Sequence, residues 1–328
     1  MRAEVAVASH SFPKSQVLRQ ELLARYPGSI FNETGRPLGR DALIELLRGH
    51  AKAITGLETL DDAVFDALPD LRVVSKYGVG LDMIDLEAAR RHGVAIRWTP
   101  GVNRQAVAEL TIGFMIALCR SIVPLAHDVR EGVWRHPASG GVPGAAGVLE
   151  PPGGRELSSA VIGVLGCGHV GQQVARLCRA FGATVLAHDI RAYDEFYREH
   201  DVQPVAFSAL LEHADIVTVH VPLDASTRGM IGAHELSSMK RAAYLVNTAR
   251  GGIVDESAVA AALVERRLAG AAFDVFTAEP PVNRELLRAP NFIGTPHIGA
   301  GTHEAVLAMG RAAIAGLDDG AQSIGPGD

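Results

Sequence analysis

The chain has 328 residues, which at roughly 150 residues per domain corresponds to about two domains. Its composition, 48% hydrophobic and 21% charged, excludes a disordered chain and supplies enough apolar residues for two cores. The net charge of −6 gives no basic surface for nucleic acid or for anionic lipid, so we expect neither as a partner.

The sequence favours a cytoplasmic protein. Residues 1–10 alternate like a strand and lack the basic flank and apolar core of a secretory signal. The most apolar helical stretch, residues 106–119, has 14 residues and contains Glu109. A membrane span needs about 20 apolar residues, so we expect no membrane partner. The three cysteines, Cys119, Cys167 and Cys178, form no Cys-x-x-Cys pair, which favours a reducing compartment.

The first hundred residues alternate predicted strands with predicted helices. The strands are predicted over residues 4–9, 53–56, 71–77 and 94–98, and the helices over residues 15–25, 41–48 and 85–92. Strands that alternate with helices at this spacing predict a parallel sheet that is covered by helices.

A second unit of the same kind follows a predicted helix at residues 103–121. Its strands are predicted over residues 160–165, 184–188, 216–221, 244–247, 271–275 and 292–294, and its helices over residues 169–181 and 255–267. A last helix, over residues 302–317, is expected to fold back onto the first unit. Residues 136–154, with six glycines and four prolines, predict a loop. A disordered surface loop, a lid and a dimer-contact arm remain open for this stretch.

The sequence Gly166-Cys167-Gly168-His169-Val170-Gly171 matches the pattern G-x-G-x-x-G. A predicted strand runs into it, a predicted helix runs out of it, and a second strand ends in Asp189, 18 residues beyond the last glycine. This arrangement is typical of a dinucleotide-binding site, and a glycine turn without a ligand is the alternative.

Each glycine of the motif has a physical role. Gly166 permits a tight turn, Gly168 lets the backbone approach a pyrophosphate, and Gly171 lets the helix pack on the strand. The helix N-terminus then offers free N–H groups to the phosphates. Asp189 would accept hydrogen bonds from the ribose hydroxyls and repel a 2′-phosphate, which predicts NAD as cofactor, although Arg191 could weaken this preference.

Three residues whose side chains could take part in catalysis follow predicted strands of the second unit: Arg250, Glu279 and His297. Ligands of open parallel sheets bind at these strand ends. Arg250 can hold a carboxylate through two hydrogen bonds, and His297 can give a proton to a carbonyl oxygen that receives hydride. Glu279 can pair with His297 and favour its charged form. Without further information, a structural histidine and an arginine in a turn remain alternatives.

Six segments, in order, resemble the D-isomer-specific 2-hydroxyacid dehydrogenases, among them the phosphoglycerate dehydrogenases. They are residues 76–85 (KYGVGLDMID), 99–109 (TPGVNRQAVAE), 163–171, 245–256 (LVNTARGGIVDE), 272–280 (AFDVFTAEP) and 295–300 (TPHIGA). The resemblance implies an α/β fold with two lobes. It implies a doubly wound Rossmann-type NAD domain over residues 103–302 and a discontinuous, flavodoxin-like substrate lobe over residues 1–102 plus 303–328.

The resemblance also implies site residues, a homodimer and no metal. The catalytic roles fall on Arg250, Glu279 and His297. Besides the glycines, Asp189, Arg250 and His297, the implied cofactor-binding residues are His169, Val170, Thr248, Ala249, Asp274, Gly299 and Ala300, with Asp274 facing the nicotinamide carboxamide. The implied substrate-binding residues are Arg250, His297, Asn103 and the backbone N–H groups of Val79 and Gly80.

We therefore predict an NAD-dependent oxidoreductase that interconverts a small D-2-hydroxy acid and its 2-keto acid. Lys76, near the implied substrate site, could bind a second anionic group of the substrate. If Lys76 is instead a solvated lysine, a smaller acid such as glyoxylate or hydroxypyruvate is favoured. Two alternatives remain: an NAD(H)-binding corepressor with little turnover, and a dehydrogenase that acts on a phosphonate or an inorganic oxyacid.

Overall fold

The computed structural model describes residues 5–132 and 154–318, and the chain forms two compact units. The first unit contains the described residues up to Asn103 and those from Ala300 onward, and the second unit is Arg104–Gly299. Of the glycine- and proline-rich stretch at residues 136–154, all but Gly154 lies outside the described residues.

The first unit is built on a five-stranded parallel sheet. Its strands are β1 Val5–Val7, β2 Ile30–Phe31, β3 Lys52–Thr55, β4 Val73–Lys76 and β5 Ala95–Arg97. Its helices are α1 Gln16–Arg25, α2 Arg40–Leu47, α3 Asp62–Asp66, α4 Leu86–Arg91 and the C-terminal helix His303–Ala315. The strand order β2-β1-β3-β4-β5 is the flavodoxin-like order, which confirms the predicted fold class for this unit.

Helices cover both faces of this sheet, and the alternation of side chains along β1 shows how. Val5 and Val7 pack in a core with α1 and the C-terminal helix, whereas Ala6 packs in a second core with α2, α3 and α4. Successive residues of a strand point to opposite faces, so a strand buried on both faces is apolar throughout.

The second unit is built on a seven-stranded parallel sheet. Its strands are β6 Val161–Leu165, β7 Thr184–His188, β8 Val202–Pro204, β9 Ile216–Val219, β10 Tyr244–Asn247, β11 Gly270–Phe273 and β12 Phe292–Gly294. Its helices are α5 Arg104–Cys119, α6 Ile122–Arg130, α7 His169–Ala180, α8 Asp194–Glu199, α9 Phe207–His213, α10 Ala233–Ser238, α11 Glu256–Val264 and α12 Arg284–Arg288.

The strand order of the second unit is β12-β11-β10-β9-β6-β7-β8. The chain first moves outward from β6 through β7 to β8, and then returns to the other side of β6 with β9. This is a doubly wound sheet, which confirms the predicted Rossmann-type fold. The order reverses between β6 and β9, and the carboxyl ends of these two strands mark the place where such sheets bind ligands.

The apolar stretch after residue 103 forms two helices rather than one. α5 ends at Cys119, and α6 begins at Ile122 after Ser121, whose backbone is left-handed with φ 50°. Within residues 5–132 and 154–318, no single helix is long and apolar enough to cross a membrane. The pair α5 and α6, bent by 66°, meets the requirements of length and composition only when the two are taken together.

The remaining differences from the predicted elements have local causes. The helix predicted over residues 255–267 ends at Val264, because Arg266 has a left-handed backbone with φ 53°. The strand predicted over residues 216–221 ends at Val219. Seven short strands and α-helices, of two to seven residues, were not predicted from the sequence: β2, β8, α3, α8, α9, α10 and α12.

Candidate active site

The glycine-rich turn between β6 and α7 has two glycines that the packing of the protein itself requires. A Cβ on Gly166, whose φ is 91°, would lie 2.7 Å from the carbonyl carbon of His220. A Cβ on Gly171 would lie 1.9 Å from the carbonyl oxygen of Gly166. Gly168 differs, because a Cβ there would meet no atom of the described chain within 4 Å. The missing side chain of Gly168 therefore leaves open space at the turn.

This open space adjoins the N-terminus of α7. The helix has 12 residues and begins at His169, which is exposed, while Val170 packs partly against the core. The first N–H groups of a helix have no partner within the helix and carry a partial positive charge. The turn and the helix end together fit the pyrophosphate of a dinucleotide.

Asp189, which follows β7, ties this strand to the glycine turn. Its Oδ2 accepts a hydrogen bond of 2.6 Å from the Cys167 N–H, and its Oδ1 accepts one of 2.8 Å from the Arg191 N–H. Burial raises the pKa of Cys167 to about 12, so its thiol stays neutral next to the carboxylate. A partly buried carboxylate thus stands beside the turn, where a ribose would lie.

Three adjacent strands carry the predicted catalytic residues. β10 pairs with β11 and β11 with β12, all parallel, and the register aligns Asn247 with Phe273 and Phe273 with Gly294. Arg250, Glu279 and His297 follow these three strands in turn. The carboxyl ends of parallel strands share one edge of the sheet, so the structure brings the loops of these residues to the same edge.

The loop of Arg250 packs directly on the loop of Glu279. A Cβ on Gly251 would lie 1.9 Å from the carbonyl oxygen of Phe276, so only glycine permits this approach. The Phe276 N–H in turn donates a hydrogen bond of 3.1 Å to Glu279 Oε1. The sequence analysis did not identify Gly251 as part of the site, although its neighbour Arg250 was singled out.

Two further polar side chains hold the Arg250 loop: Asn247, which was not predicted as a site residue, and Thr248, which the family resemblance implied as a cofactor contact. Asn247 is buried at the end of β10, where its Nδ2 donates to the carbonyl oxygen of Arg250 at 2.9 Å and its Oδ1 accepts from the Ala249 N–H at 3.1 Å. The hydroxyl of Thr248 lies 2.8 Å from the hydroxyl of Thr111 on α5. The Arg250 Nη1 donates to the carbonyl oxygen of Ala249 at 2.7 Å.

His297 and Glu279 are in direct contact. Nδ1 of the imidazole lies 2.8 Å from Glu279 Oε2. An ionised carboxylate only accepts hydrogen bonds, so Nδ1 carries the proton and Nε2 is the ring atom left for another partner. Both side chains are partly exposed. The backbone of His297 is left-handed, with φ 54°.

Asp274, at the end of β11, is 1% exposed and contacts the segment that contains His297. Its carboxylate accepts hydrogen bonds from the Thr295 hydroxyl at 2.5 Å, the Ile298 N–H at 2.8 Å and the Gly299 N–H at 2.7 Å. Its carbonyl oxygen accepts from the His297 N–H at 2.9 Å. Asp274 therefore belongs to the same site, and Thr295 is a residue that the sequence analysis did not name.

His220, just after β9, also borders the switch point. Its N–H donates to the carbonyl oxygen of Leu165 at 2.7 Å, and its Nε2 lies 2.9 Å from the Thr218 hydroxyl. Burial lowers the pKa of His220 to about 3, so the ring is neutral at physiological pH.

In the first unit, Lys76 is buried at the end of β4 with 4% of its surface exposed. Its Nζ donates to the carbonyl oxygen of Gly56 and contacts Met83 Sδ at 3.1 Å. The alternative of an ordinary solvated lysine is therefore wrong, because the neighbouring loops of β3 and β4 cover the side chain.

The loop after Lys76 contains Val79 and Gly80. The carbonyl oxygen of Val79 accepts a hydrogen bond of 2.8 Å from Trp98 Nε1. Asn103 is buried, and its Oδ1 has no hydrogen-bond partner in the part of the chain that the structure describes. Ala300 packs against the core of the first unit.

In residues 5–132 and 154–318, no group of three or more His, Cys, Asp or Glu side chains could hold a metal ion. The chemical groups of the site are instead a guanidinium, a carboxylate and an imidazole on one sheet edge, next to a turn that fits a dinucleotide.

Comparison with known proteins gives consistent matches. Residues 112–299 match the profile of the D-isomer specific 2-hydroxyacid dehydrogenase, NAD binding domain. The chain is 37% identical over 268 residues to a glyoxylate reductase of Korarchaeum cryptofilum, covering 80% of this chain and 74% of that protein. It is 38% identical over 248 residues to a D-3-phosphoglycerate dehydrogenase of Methanocaldococcus jannaschii, covering 75% of this chain but only 45% of that longer protein.

Among solved structures, a glyoxylate reductase from Paecilomyes thermophila superposes with a TM-score of 0.82. The sequence identity is 27%, and the match covers 98% of this chain and 97% of that chain. The fold and the sequence relationship therefore agree.

Proposed function

This chain belongs to the D-isomer specific 2-hydroxyacid dehydrogenase family, and we propose that Arg250, Glu279 and His297 carry its reaction. The chain is an NAD-dependent oxidoreductase that acts on 2-hydroxy or 2-keto acids. The observation that carries the assignment of residues is the 2.8 Å contact of His297 with Glu279 on the sheet edge that also holds the Arg250 loop.

The cofactor is NAD, which when bound supplies or accepts the hydride. The open space at Gly168 and the N-terminus of α7 support a pyrophosphate site there. The carboxylate of Asp189 supports NAD rather than NADP, because it would repel a 2′-phosphate. We assign further cofactor contacts to Thr248, Ala249, Asp274 and Gly299.

In the proposed reaction, Arg250 binds the substrate carboxylate through its planar guanidinium, which matches a carboxylate with two parallel hydrogen bonds. His297 gives a proton to the substrate's carbonyl oxygen in the direction of reduction and takes it back in the direction of oxidation. Glu279 holds Nδ1 of His297, which leaves Nε2 to handle that proton.

We assign the substrate contacts of the first unit to Lys76, Val79, Gly80 and Asn103. Relatives are named glyoxylate reductase, hydroxypyruvate reductase and D-3-phosphoglycerate dehydrogenase, which differ in the group beyond the 2-keto acid. The ammonium of Lys76, which the Gly56 carbonyl oxygen holds at the end of β4, is our proposed contact for a polar or anionic group of the substrate. A small 2-keto acid of this kind is our proposed substrate class.

We propose that the protein is a cytoplasmic homodimer without nucleic-acid or membrane partners. Ile122, Val123 and Val129 of α6 are exposed apolar side chains, and none of the residues of α6 is buried. A second copy of the chain could cover this helix. The three cysteines are free and buried, which is consistent with a reducing compartment.

The test is a panel of 2-keto acids with NADH and with NADPH, followed by the D- and L-hydroxy acids in reverse. We expect turnover with NADH and with the D-isomer, and loss of turnover in Arg250→Ala and His297→Ala while NADH binding persists. The panel includes a phosphonate analogue, and size-exclusion chromatography with and without NADH runs beside it. Wild-type turnover in His297→Ala would refute the proposed roles, and NADH-dependent assembly without turnover would favour the corepressor alternative.

A further inference from the structure

The backbone of His297 adopts a conformation that a histidine does not prefer. Its φ of 54° lies in the left-handed region, where the Cβ of an L-residue crowds the following carbonyl oxygen. Non-glycine residues stay in this region only when their surroundings hold them there, and such residues cluster at functional sites. The contacts that hold His297 are therefore part of the site.

Asp274 supplies those contacts from β11. Its carbonyl oxygen accepts the His297 N–H at 2.9 Å. Its carboxylate accepts the N–H groups of the next two residues, with Ile298 on Oδ1 at 2.8 Å and Gly299 on Oδ2 at 2.7 Å. One buried residue thus binds three successive backbone N–H groups and fixes the turn that presents the imidazole.

The carboxylate of Asp274 needs to be held in place itself. It is 1% exposed, so its charge depends on hydrogen-bond donors from the protein. Thr295 Oγ1 donates to Oδ1 at 2.5 Å, which is the side-chain contribution to this network. Without the Thr295 hydroxyl, Oδ1 would keep the Ile298 N–H and lose a donor that a buried charge requires.

We propose that Thr295 is a positioning residue for the reaction: its hydroxyl fixes the Asp274 carboxylate, which fixes the left-handed turn that places His297 against Glu279. The inference deepens the proposed function and rests on the role of His297 given there. Thr295 precedes His297 by two residues; its carbonyl oxygen also accepts the His297 N–H at 3.0 Å, and its hydroxyl acts through Asp274.

The test compares Thr295→Val, which keeps the shape of the side chain but lacks the hydroxyl, with Thr295→Ser, which keeps the hydroxyl. The full chain is assayed for kcat, for KM of the keto acid and for the Kd of NADH by fluorescence. Histidine labelled with ¹⁵N reports the Nδ1–H proton of His297, whose resonance is assigned by its loss in His297→Gln.

We expect Thr295→Val to lose kcat by about tenfold or more, as for a lost hydrogen bond to a charged group. The Kd of NADH should change less than kcat does, because the glycine turn is untouched and Asp274 is only one of several residues assigned to the cofactor. The Nδ1–H resonance should weaken, and Thr295→Ser should match the wild type in all readouts. Wild-type kcat in Thr295→Val, equal losses in both variants, or a loss confined to NADH affinity would each overturn the proposal.

A second variant disturbs the Asp274 carboxylate at its other oxygen, Oδ2. A Cβ on Gly299 would lie 2.9 Å from Asp274 Oδ2, so Gly299→Ala should displace the carboxylate and give the same kcat and resonance changes. This variant decides the matter if Thr295→Val does not fold, and wild-type kcat in it overturns the proposal. His297→Ala distinguishes a failure of the proposed function from a failure of the role of Thr295. If His297→Ala keeps turnover, the proposed function is wrong. If His297→Ala is inactive and Thr295→Val has normal kcat, only the role of Thr295 is wrong.

Discussion

Nδ1 of His297 lies 2.8 Å from Oε2 of Glu279, and Oε1 of the same carboxylate accepts the Phe276 N–H at 3.1 Å. Each oxygen of Glu279 therefore has its own donor. The carboxylate orients the imidazole and is itself oriented by the backbone of its own loop. A hydrogen bond to one ring nitrogen of a catalytic histidine commonly fixes its tautomer.

Glu279→Gln should therefore impair catalysis. Glutamine has one oxygen for two donors, so its NH2 group would face either the Phe276 N–H or the His297 Nδ1–H. We expect kcat in the direction of reduction to fall by about 10- to 100-fold, within the usual contribution of acid–base catalysis, while the Kd of NADH stays unchanged. The matched control is Glu256→Gln, whose carboxylate accepts the Thr277 N–H on the same loop at 2.6 Å and does not contact His297. Equal activity of the two variants would argue against the role of Glu279.

Arg250→Lys should show a defect in substrate binding. A lysine keeps the positive charge but cannot make two parallel hydrogen bonds with a carboxylate. We expect KM for the keto acid to rise by about tenfold or more, since one charge-assisted hydrogen bond is lost. Steady-state kinetics measures this change, and a fluorescence titration should give an unchanged Kd for NADH. Arg288→Lys on the exposed side of α12 is the control, and a wild-type KM in Arg250→Lys would contradict the assignment.

Substitution of Gly168 and substitution of Gly171 by alanine should have different effects. A Cβ on Gly171 would collide with the carbonyl oxygen of Gly166 at 1.9 Å, so Gly171→Ala should lower the free energy of unfolding by about 1–3 kcal/mol, as overpacking does. A Cβ on Gly168 meets no atom of the described chain within 4 Å, so Gly168→Ala should keep the wild-type melting temperature and lose NADH affinity. Thermal melts and NADH titrations test both, and normal NADH binding by Gly168→Ala would count against the pyrophosphate site.

His220 should make the protein less stable in acid. Its pKa is lowered to about 3 in the folded state, against about 6.5 in an unfolded chain, so the unfolded state binds the extra proton between these values. The stability contributed by the neutral ring is complete above pH 6.5 and is lost as the pH falls toward 3. From pH 7.5 to pH 5 this loss should amount to at most about 2 kcal/mol.

Urea unfolding at the two pH values measures this loss in the wild type and in His220→Gln. The variant should lose less stability on acidification than the wild type. His234→Gln, on the exposed side of α10, should behave as the wild type does. Identical pH dependence of wild type and His220→Gln would show that His220 does not titrate in this way.

The longer elements of this chain follow from local pattern. α7 has a strong hydrophobic periodicity, β7 contains a continuous apolar run, and the glycine motif marks the point between β6 and α7. The order of strands and helices therefore predicts both parallel sheets. β8 and α12 were not predicted, because the three residues of β8 (VQP) form no apolar run and the five residues of α12 (RELLR) are too few to show a helical period.

The sequence by itself determined which residue types follow β10, β11 and β12, and hence the guanidinium, carboxylate and imidazole of the candidate site. Only the tertiary structure decided which groups support them. Gly251 and Thr295 matter through close approach or hydrogen bonds to residues of other segments, and Asn247 matters through hydrogen bonds within the Arg250 loop. Such contacts depend on how neighbouring strands align, and they leave no periodic signal along the chain. The burial of Lys76 has the same origin, because the backbone of Gly56 and the side chain of Met83, from separate segments, contact its ammonium.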